Sequence, residues 1–395
     1  MHGGSLTRKG FLGGLAGGAL GLPGRAAPGA PGTRRVAEVD LFPFLMEARQ
    51  VIRIAFGSVT AAEILVRLRT EEGMVGWGEA SPLAQVTGET QASALAAGKG
   101  LAPVLRGRDP FDVARIVDDL DAAATGNGSI KAAFEMALWD LCGKIAGQPV
   151  CHLLGQYRDS FETDCTVYLN TPQAMAERAQ AIVSQGFRIV KVKVGEAPEL
   201  DIERLRAVRQ AVGARVRLRI DANQGWTPAA AVRALGGIEP FGVEFCEQPV
   251  VYSDWEGLKH VRDHSGIPIM ADEAVHSPAD AIEAVRRGAA DMINIKLMKS
   301  GGILQAMRIA HIAEAANMKC MLGSMCETRA GLTAAAHLVA SQKNIQYADL
   351  DTFTEHRTDP VTGGMRVKDG VVTLPDTPGL GFDFDGAFLK TLRAA

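Results

Sequence analysis

Apolar and polar residues alternate in two different rhythms along this chain. In the first, Ile64-Leu65-Val66-Arg67-Leu68-Arg69 is β-branched and apolar enough to predict a strand, followed by a turn at Glu72-Gly73. Met74-Val75-Gly76-Trp77-Gly78-Glu79 reads as its hairpin partner, and residues 130–140 carry a helical period. Strands followed by helices make this opening block α+β. From Thr163 onward the rhythm changes. Strands are predicted at 163–169, 189–194, 216–220, 243–246, 267–271, 292–295, 320–322 and 345–348, separated by amphipathic helices such as 198–212 and 278–287. Eight strands alternating with helices predict a parallel α/β (TIM-type) barrel. An open doubly wound sheet is the alternative, but no G-x-G-x-x-G follows a strand. The expected organisation is an export signal and linker over 1–35, an α+β capping domain over 36–160 completed by the tail 354–395, and a barrel over 161–353.

Composition narrows the function classes. The chain has 395 residues, 47% hydrophobic and 22% charged, as in ordinary globular proteins, and its net charge of −3 gives no case for nucleic acid or an anionic membrane. None of the six cysteines forms a C-x-x-C pair, so they read as buried small hydrophobes. At the N-terminus, Arg8-Lys9 and Phe11-Leu12 lead into an apolar stretch ending near Leu22, too short to span a bilayer. This resembles a twin-arginine signal with one Arg replaced by Lys, which implies a periplasmic protein; a Gly-rich leader with no address, and a cytoplasmic protein, is the alternative. Residues 23–35 read as a flexible linker.

The candidate chemistry sits at the strand ends. Asp221, Glu247, Asp272 and Lys296 each follow an apolar run, at intervals of 26, 25 and 24 residues, one βα unit each. A single acid in that place is ordinarily a helix N-cap. Three on successive strands are brought by a barrel to one mouth, where hard carboxylate oxygens suit Mg²⁺ or Mn²⁺. Lys191 and Lys193 share one face of the second strand, and Lys296 ends the sixth, across the barrel. One lysine on each face of a planar enolate is the geometry of 1,1-proton transfer. Burial near a metal and another cation is expected to push a lysine from about 10.4 toward the roughly 7–8 that suits a general base.

Lys191-Val192-Lys193, Asp221-Ala222-Asn223, Glu247-Gln248-Pro249, Ala271-Asp272-Glu273 and Asn294-Ile295-Lys296, in this order and spacing, resemble the muconate lactonizing enzyme subgroup of the enolase superfamily over roughly residues 36–383. The resemblance implies a capping domain on a modified (β/α)₇β barrel and Mg²⁺ on Asp221, Glu247 and Asp272. The mandelate racemase subgroup, with a histidine at the end of its seventh strand, fits less well, because that strand ends here in Leu322-Gly323-Ser324.

Asp349-Leu350-Asp351 resembles the Asp-x-Asp motif of the dipeptide epimerases, whose two acids hold the substrate's α-ammonium. The resemblance also implies that Thr166, Lys191, Ser324 and Cys326 line the substrate, and that Lys193 and Lys296 exchange protons with the second residue's α-carbon. Family members acting on Ala-Glu often place an arginine in the capping loop. The matching stretch 54–60 offers Phe56 and Val59 and no charge, which favours a hydrophobic second residue; Arg53 nearby, serving an acidic one, is the alternative. The competing functions are N-acylamino acid racemisation or o-succinylbenzoate synthesis on the same fold, and a non-catalytic periplasmic dipeptide-binding protein. The expected partner is a small molecule, with neither nucleic acid nor stable membrane insertion, in a homo-oligomer.

Overall fold

Cys165–Val167, Ile189–Lys193, Arg217–Asp221, Val243–Glu247, Ile269–Ala271, Met292–Ile295, Lys319–Leu322 and Ile345–Ala348 are parallel strands standing in chain order in one sheet. A helix follows each of the first seven, giving the (β/α)₇β pattern. Most strand residues are buried, as expected of strands with helices outside and a filled interior. The helices start where local chemistry says they should. Pro172, Pro228 and Pro278 each occupy the first turn, behind Thr171, Thr227 and Ser277, whose side chains accept from the third backbone N–H of the helix.

The expected first strand, 163–169, shortens to Cys165–Val167 because its ends bond elsewhere. Leu169 N donates to Arg53 O in the cap, and Asp164 N donates to Ala348 O, joining the first strand to the eighth. Thr166 N donates to the Asp351 carboxylate at 2.6 Å and Leu350 N to Thr163 Oγ1 at 2.9 Å, completing that seam. Below the strand ends the interior is plugged by Phe245, Met270, Met292 and Met321, with Arg219 over the rings of Phe245 and Tyr347.

The described residues of this computed structural model are 34–395, with Met1. The expected export signal lies outside them. Arg34 and Arg35, expected in the linker, are tied to the cap through Asp109 and Gly107 O. No helix among the described residues is long and apolar enough to cross a membrane.

The N-terminal block folds as expected into α+β. Val36–Met46, Ala61–Thr70 and Val75–Ala80 form an antiparallel sheet in that order, against helices Gln91–Leu105, Val113–Ala123 and Gly128–Ala146. Gly76 and Gly78 let strand and helix touch: a Cβ at Gly78 would lie 1.9 Å from Ala133 O. The tail returns to this block. Trp77 Nε1 donates to Asp383, the Trp77 and Phe384 rings meet edge to face at 5.4 Å, and Ala395 N donates to Leu41 O.

Candidate active site

Strand register sets the height of each charged side chain. Lys193 stands opposite Asp221 and Asp221 opposite Glu247, while Met270, two residues before Asp272, stands opposite Glu247. All three carboxylates are fully buried. Each has one oxygen pinned by the protein. Asn223 N donates to Asp221 Oδ1 at 2.9 Å, Asn294 Nδ2 to Glu247 Oε1 at 2.7 Å, and Lys299 Nζ to Asp272 Oδ1 at 2.5 Å. The second oxygen of each meets ammonium groups. Lys193 lies 2.6 Å and Lys191 3.1 Å from Asp221 Oδ2; Lys191 lies 2.9 Å from Glu247 Oε2; Lys296 lies 2.9 Å from Asp272 Oδ2. Glu247 Oε2 and Asp272 Oδ2 accept no hydrogen bond of good geometry despite these ion-pair contacts.

With the side chains as they stand, no group of three His, Cys, Asp or Glu among the described residues converges closely enough to hold an ion. The donor chemistry nonetheless fits a hard divalent cation: three carboxylates from consecutive strand ends, each presenting one oxygen the protein backbone and amides leave free. Lys191, Lys193 and Lys296, which contact those oxygens, are the groups that would give way.

For Lys191 and Lys296 charge coupling runs against burial. Burial pushes Lys191 and Lys296 down, but nearby carboxylates win: Asp349, Glu247 and Asp221 hold Lys191 well above the ordinary lysine range, and Asp272 and Glu247 raise Lys296. Burial and the Asp221 charge push Glu247 up to about 8. Against the same burial, Lys193 and Lys191 lower Asp221, and Lys296 and Lys299 hold Asp272 well below its usual value.

The eighth-strand acids stand as a pair of unlike partners. Lys191 Nζ donates to Asp349 Oδ2 at 2.7 Å and, against burial, holds that carboxyl below its usual range. Asp351 rises to about 7 through burial and the adjacent Asp349 charge. Oδ1 of each acid has no hydrogen-bond partner.

A cavity of about 620 Å³, counting its open mouth, gathers Thr166, Lys191, Lys193, Lys296, Ser324, Cys326, Asp349 and Asp351 into one lining. The three carboxylates lie behind it, in contact with its lysines. Burial raises the Cys326 thiol beyond any reactive range. The cap closes the cavity with residues the sequence reading passed over. Ile52 and Ile54 belong to the hairpin Ile52–Ile54/Gly57–Val59, and Leu83 and Val86 follow the third cap strand. Alternation along the hairpin sends Arg53 to the opposite face, 2.7 Å from Glu196 and outside the lining. Lys299 was also missed. It lies three residues after Lys296, one helical turn on, in an otherwise apolar run, and spends its donors on Asp272 Oδ1, Asp272 O and Asn294 O.

Residues 37–155 match the N-terminal domain of the mandelate racemase/muconate lactonizing enzyme family, and residues 174–388 match the enolase C-terminal domain-like family. The chain is 43% identical over 362 residues to the L-Ala-D/L-Glu epimerase of Bacillus subtilis, spanning 91% of this chain and 97% of that one. It is 41% identical over 350 residues to the hydrophobic dipeptide epimerase of Enterococcus faecalis, spanning 88% and 99%. The structure of a dipeptide epimerase from Cytophaga hutchinsonii, complexed with Mg and the dipeptide D-Ala-L-Val, superposes with a TM-score of 0.89 at 38% identity, over 91% of this chain and 99% of that one. Matched in both its cap and its barrel, the chain belongs to the mandelate racemase/muconate lactonizing enzyme family of the enolase superfamily.

Proposed function

We propose that the protein is an isomerase, a Mg²⁺-dependent dipeptide epimerase that inverts the α-carbon of the second residue. The observation that carries the reading is the meeting, in one cavity, of lysines from the second and sixth strands with an acid pair from the eighth. Lys193 and Lys296 act as alternating base and acid on the two faces of the α-carbon. One takes the α-proton from its own face, the other delivers a proton to the opposite face, and the roles exchange in the reverse direction. Lys191, anchored by Asp349 at 2.7 Å, faces the developing enolate oxygen with positive charge. Asp221, Glu247 and Asp272 would hold Mg²⁺, or Mn²⁺ in its place, which would supply the Lewis-acid charge that makes an α-proton beside a carboxylate removable.

Asp349 and Asp351 receive the substrate's α-ammonium, a group with the donors that their unpartnered oxygens lack. Thr166, Ser324 and Cys326 line the same cavity and contact the substrate. Ile54, Phe56 and Val59, with Leu83 and Val86, favour an apolar side chain on the second residue. Supporting this reading, the similar enzymes of B. subtilis, E. faecalis and C. hutchinsonii are dipeptide epimerases, the last in complex with Mg and a dipeptide.

The test is to incubate purified protein and Mg²⁺ with free L-Ala-L-X dipeptides and, separately, with N-acetyl amino acids, and resolve the products by chiral chromatography. Epimers arising only from the free-amine dipeptides support the proposal. Racemisation of N-acyl amino acids in their place would refute it.

A further inference from the structure

The loop between the seventh strand and helix Arg329–Ser341 lines the cavity through Ser324, Met325 and Cys326. Three of the backbone N–H groups in and just beyond it are taken by side chains of the cap. Cys326 N donates to Ser81 Oγ at 3.1 Å, and Ser81 Oγ donates in turn to Glu63 Oε1 at 3.0 Å. Glu79 accepts from Thr328 N at 2.9 Å, from Thr328 Oγ1 at 2.8 Å and from Gly331 N at 2.8 Å. A helix start leaves such N–H groups unpaired and carries partial positive charge, so a carboxylate fits there. Here the carboxylate comes from another part of the chain. A Cβ at position 331 would stand 3.1 Å from Glu79 Oε2 and 2.8 Å from Glu327 Cγ, so the glycine makes room for the contact.

Glu63, Glu79 and Glu327 are all buried, and no ion pair among the described residues involves them. Burying carboxyls without a cation is costly unless hydrogen bonds compensate; loop N–H groups and a hydroxyl do so for Glu79 and Glu327, while Glu63 has Ser81 Oγ on one oxygen and no partner on the other. The same cap segment runs on from Ser81 to Leu83 and Val86, which line the cavity opposite. A shift of this segment therefore moves two walls together.

We infer that Glu79 and Ser81 are positioning residues: acting from the cap, they fix the seventh-strand loop against which the substrate packs. Neither lines the cavity.

The experiment uses the full chain with Ser81→Ala and Glu79→Gln. Hydrogen exchange of the peptide spanning 322–331 is followed by mass spectrometry, alongside kcat and KM for L-Ala-L-Leu and Mg²⁺ affinity by calorimetry. The expected result is faster exchange in that peptide and a KM raised about five- to tenfold, the worth of one to two hydrogen bonds. Mg²⁺ affinity is unchanged, because the ligands stand on other strands. Unchanged exchange, or faster exchange with KM and kcat both unmoved, would overturn the inference. If Glu79→Gln does not fold, Ser81→Ala, which removes one hydroxyl, decides. The kinetic arm rests on the dipeptide reading. A wild-type protein inactive on every dipeptide would defeat that reading, while the exchange arm would still decide whether the cap holds the loop.

Discussion

On its barrel side the active-site cavity is ionic, lined by Lys191, Lys193, Lys296, Asp349 and Asp351; on its cap side it is apolar, lined by Ile52, Ile54, Phe56, Val59, Leu83 and Val86. The ionic wall is held by strand register and by amides and ammonium groups that pin one oxygen of each carboxylate. The apolar wall hangs on a two-stranded hairpin with a two-residue turn and on a short segment after a strand. On the proposed reading, chemistry is placed on the rigid scaffold and selectivity on connecting segments, which can change without disturbing the lysines.

The largest expected effects lie on the ionic wall. Lys193→Ala and Lys296→Ala should each cut kcat by about 10²–10⁴ or more, the usual worth of a general acid or base, as read by chiral chromatography. Near-full activity in either variant would break the two-base assignment. Chelation with EDTA should abolish turnover and added Mg²⁺ restore it; in Asp272→Asn, calorimetry should show weakened Mg²⁺ binding and the restoration should fail. Asp351→Asn should lower kcat/KM for free-amine dipeptides by about 10- to 100-fold, the scale of a hydrogen bond to a charged group. An unchanged kcat/KM for free-amine dipeptides would move the ammonium elsewhere.

The apolar wall should respond in selectivity and not in chemistry. Phe56→Arg should reduce kcat/KM for an apolar second residue about tenfold, in line with losing part of a buried side chain's contact, and raise it for L-Ala-L-Glu. Equal losses on both substrates would remove Phe56 from the selectivity wall. The smallest effect tests a position outside both walls. Ser277 caps helix Pro278–Arg287 in a reciprocal capping box, so Ser277→Ala should cost about 1 kcal/mol in thermal unfolding and leave kcat unchanged.

The two walls were unequally legible in the sequence. Asp221, Glu247, Asp272 and Lys296 recur once per βα unit, and in a barrel sequence interval translates directly into position around the mouth. The helices 198–212 and 278–287 were readable to the residue, because Pro at the start and Arg near the end are local signals. Of the cap wall only Phe56 and Val59 drew notice. Ile52, Leu83 and Val86 are ordinary apolar residues whose meaning depends on what the fold sets opposite them. Arg53 looked available and is turned away by strand alternation and engaged by Glu196. The carboxylates that raise Lys191 were out of local view for a similar reason. Burial is readable from an apolar run, but Asp349 lies 158 residues from Lys191, and its charge is among those that decide the outcome. The contact between Glu79 and Thr328 spans 249 residues and has no local signature at all.

Proton transfer at the second residue's α-carbon by two opposed lysines is tested most directly by exchange in D₂O. Wild-type protein with Mg²⁺ is incubated with L-Ala-L-Leu, and deuterium uptake in each epimer is read by mass spectrometry and chiral separation. The expected result is deuterium at the second residue's α-carbon in the epimerised product, with Lys193→Ala and Lys296→Ala each abolishing epimerisation. Epimerisation without solvent deuterium in the product, or exchange at the first residue, would contradict it.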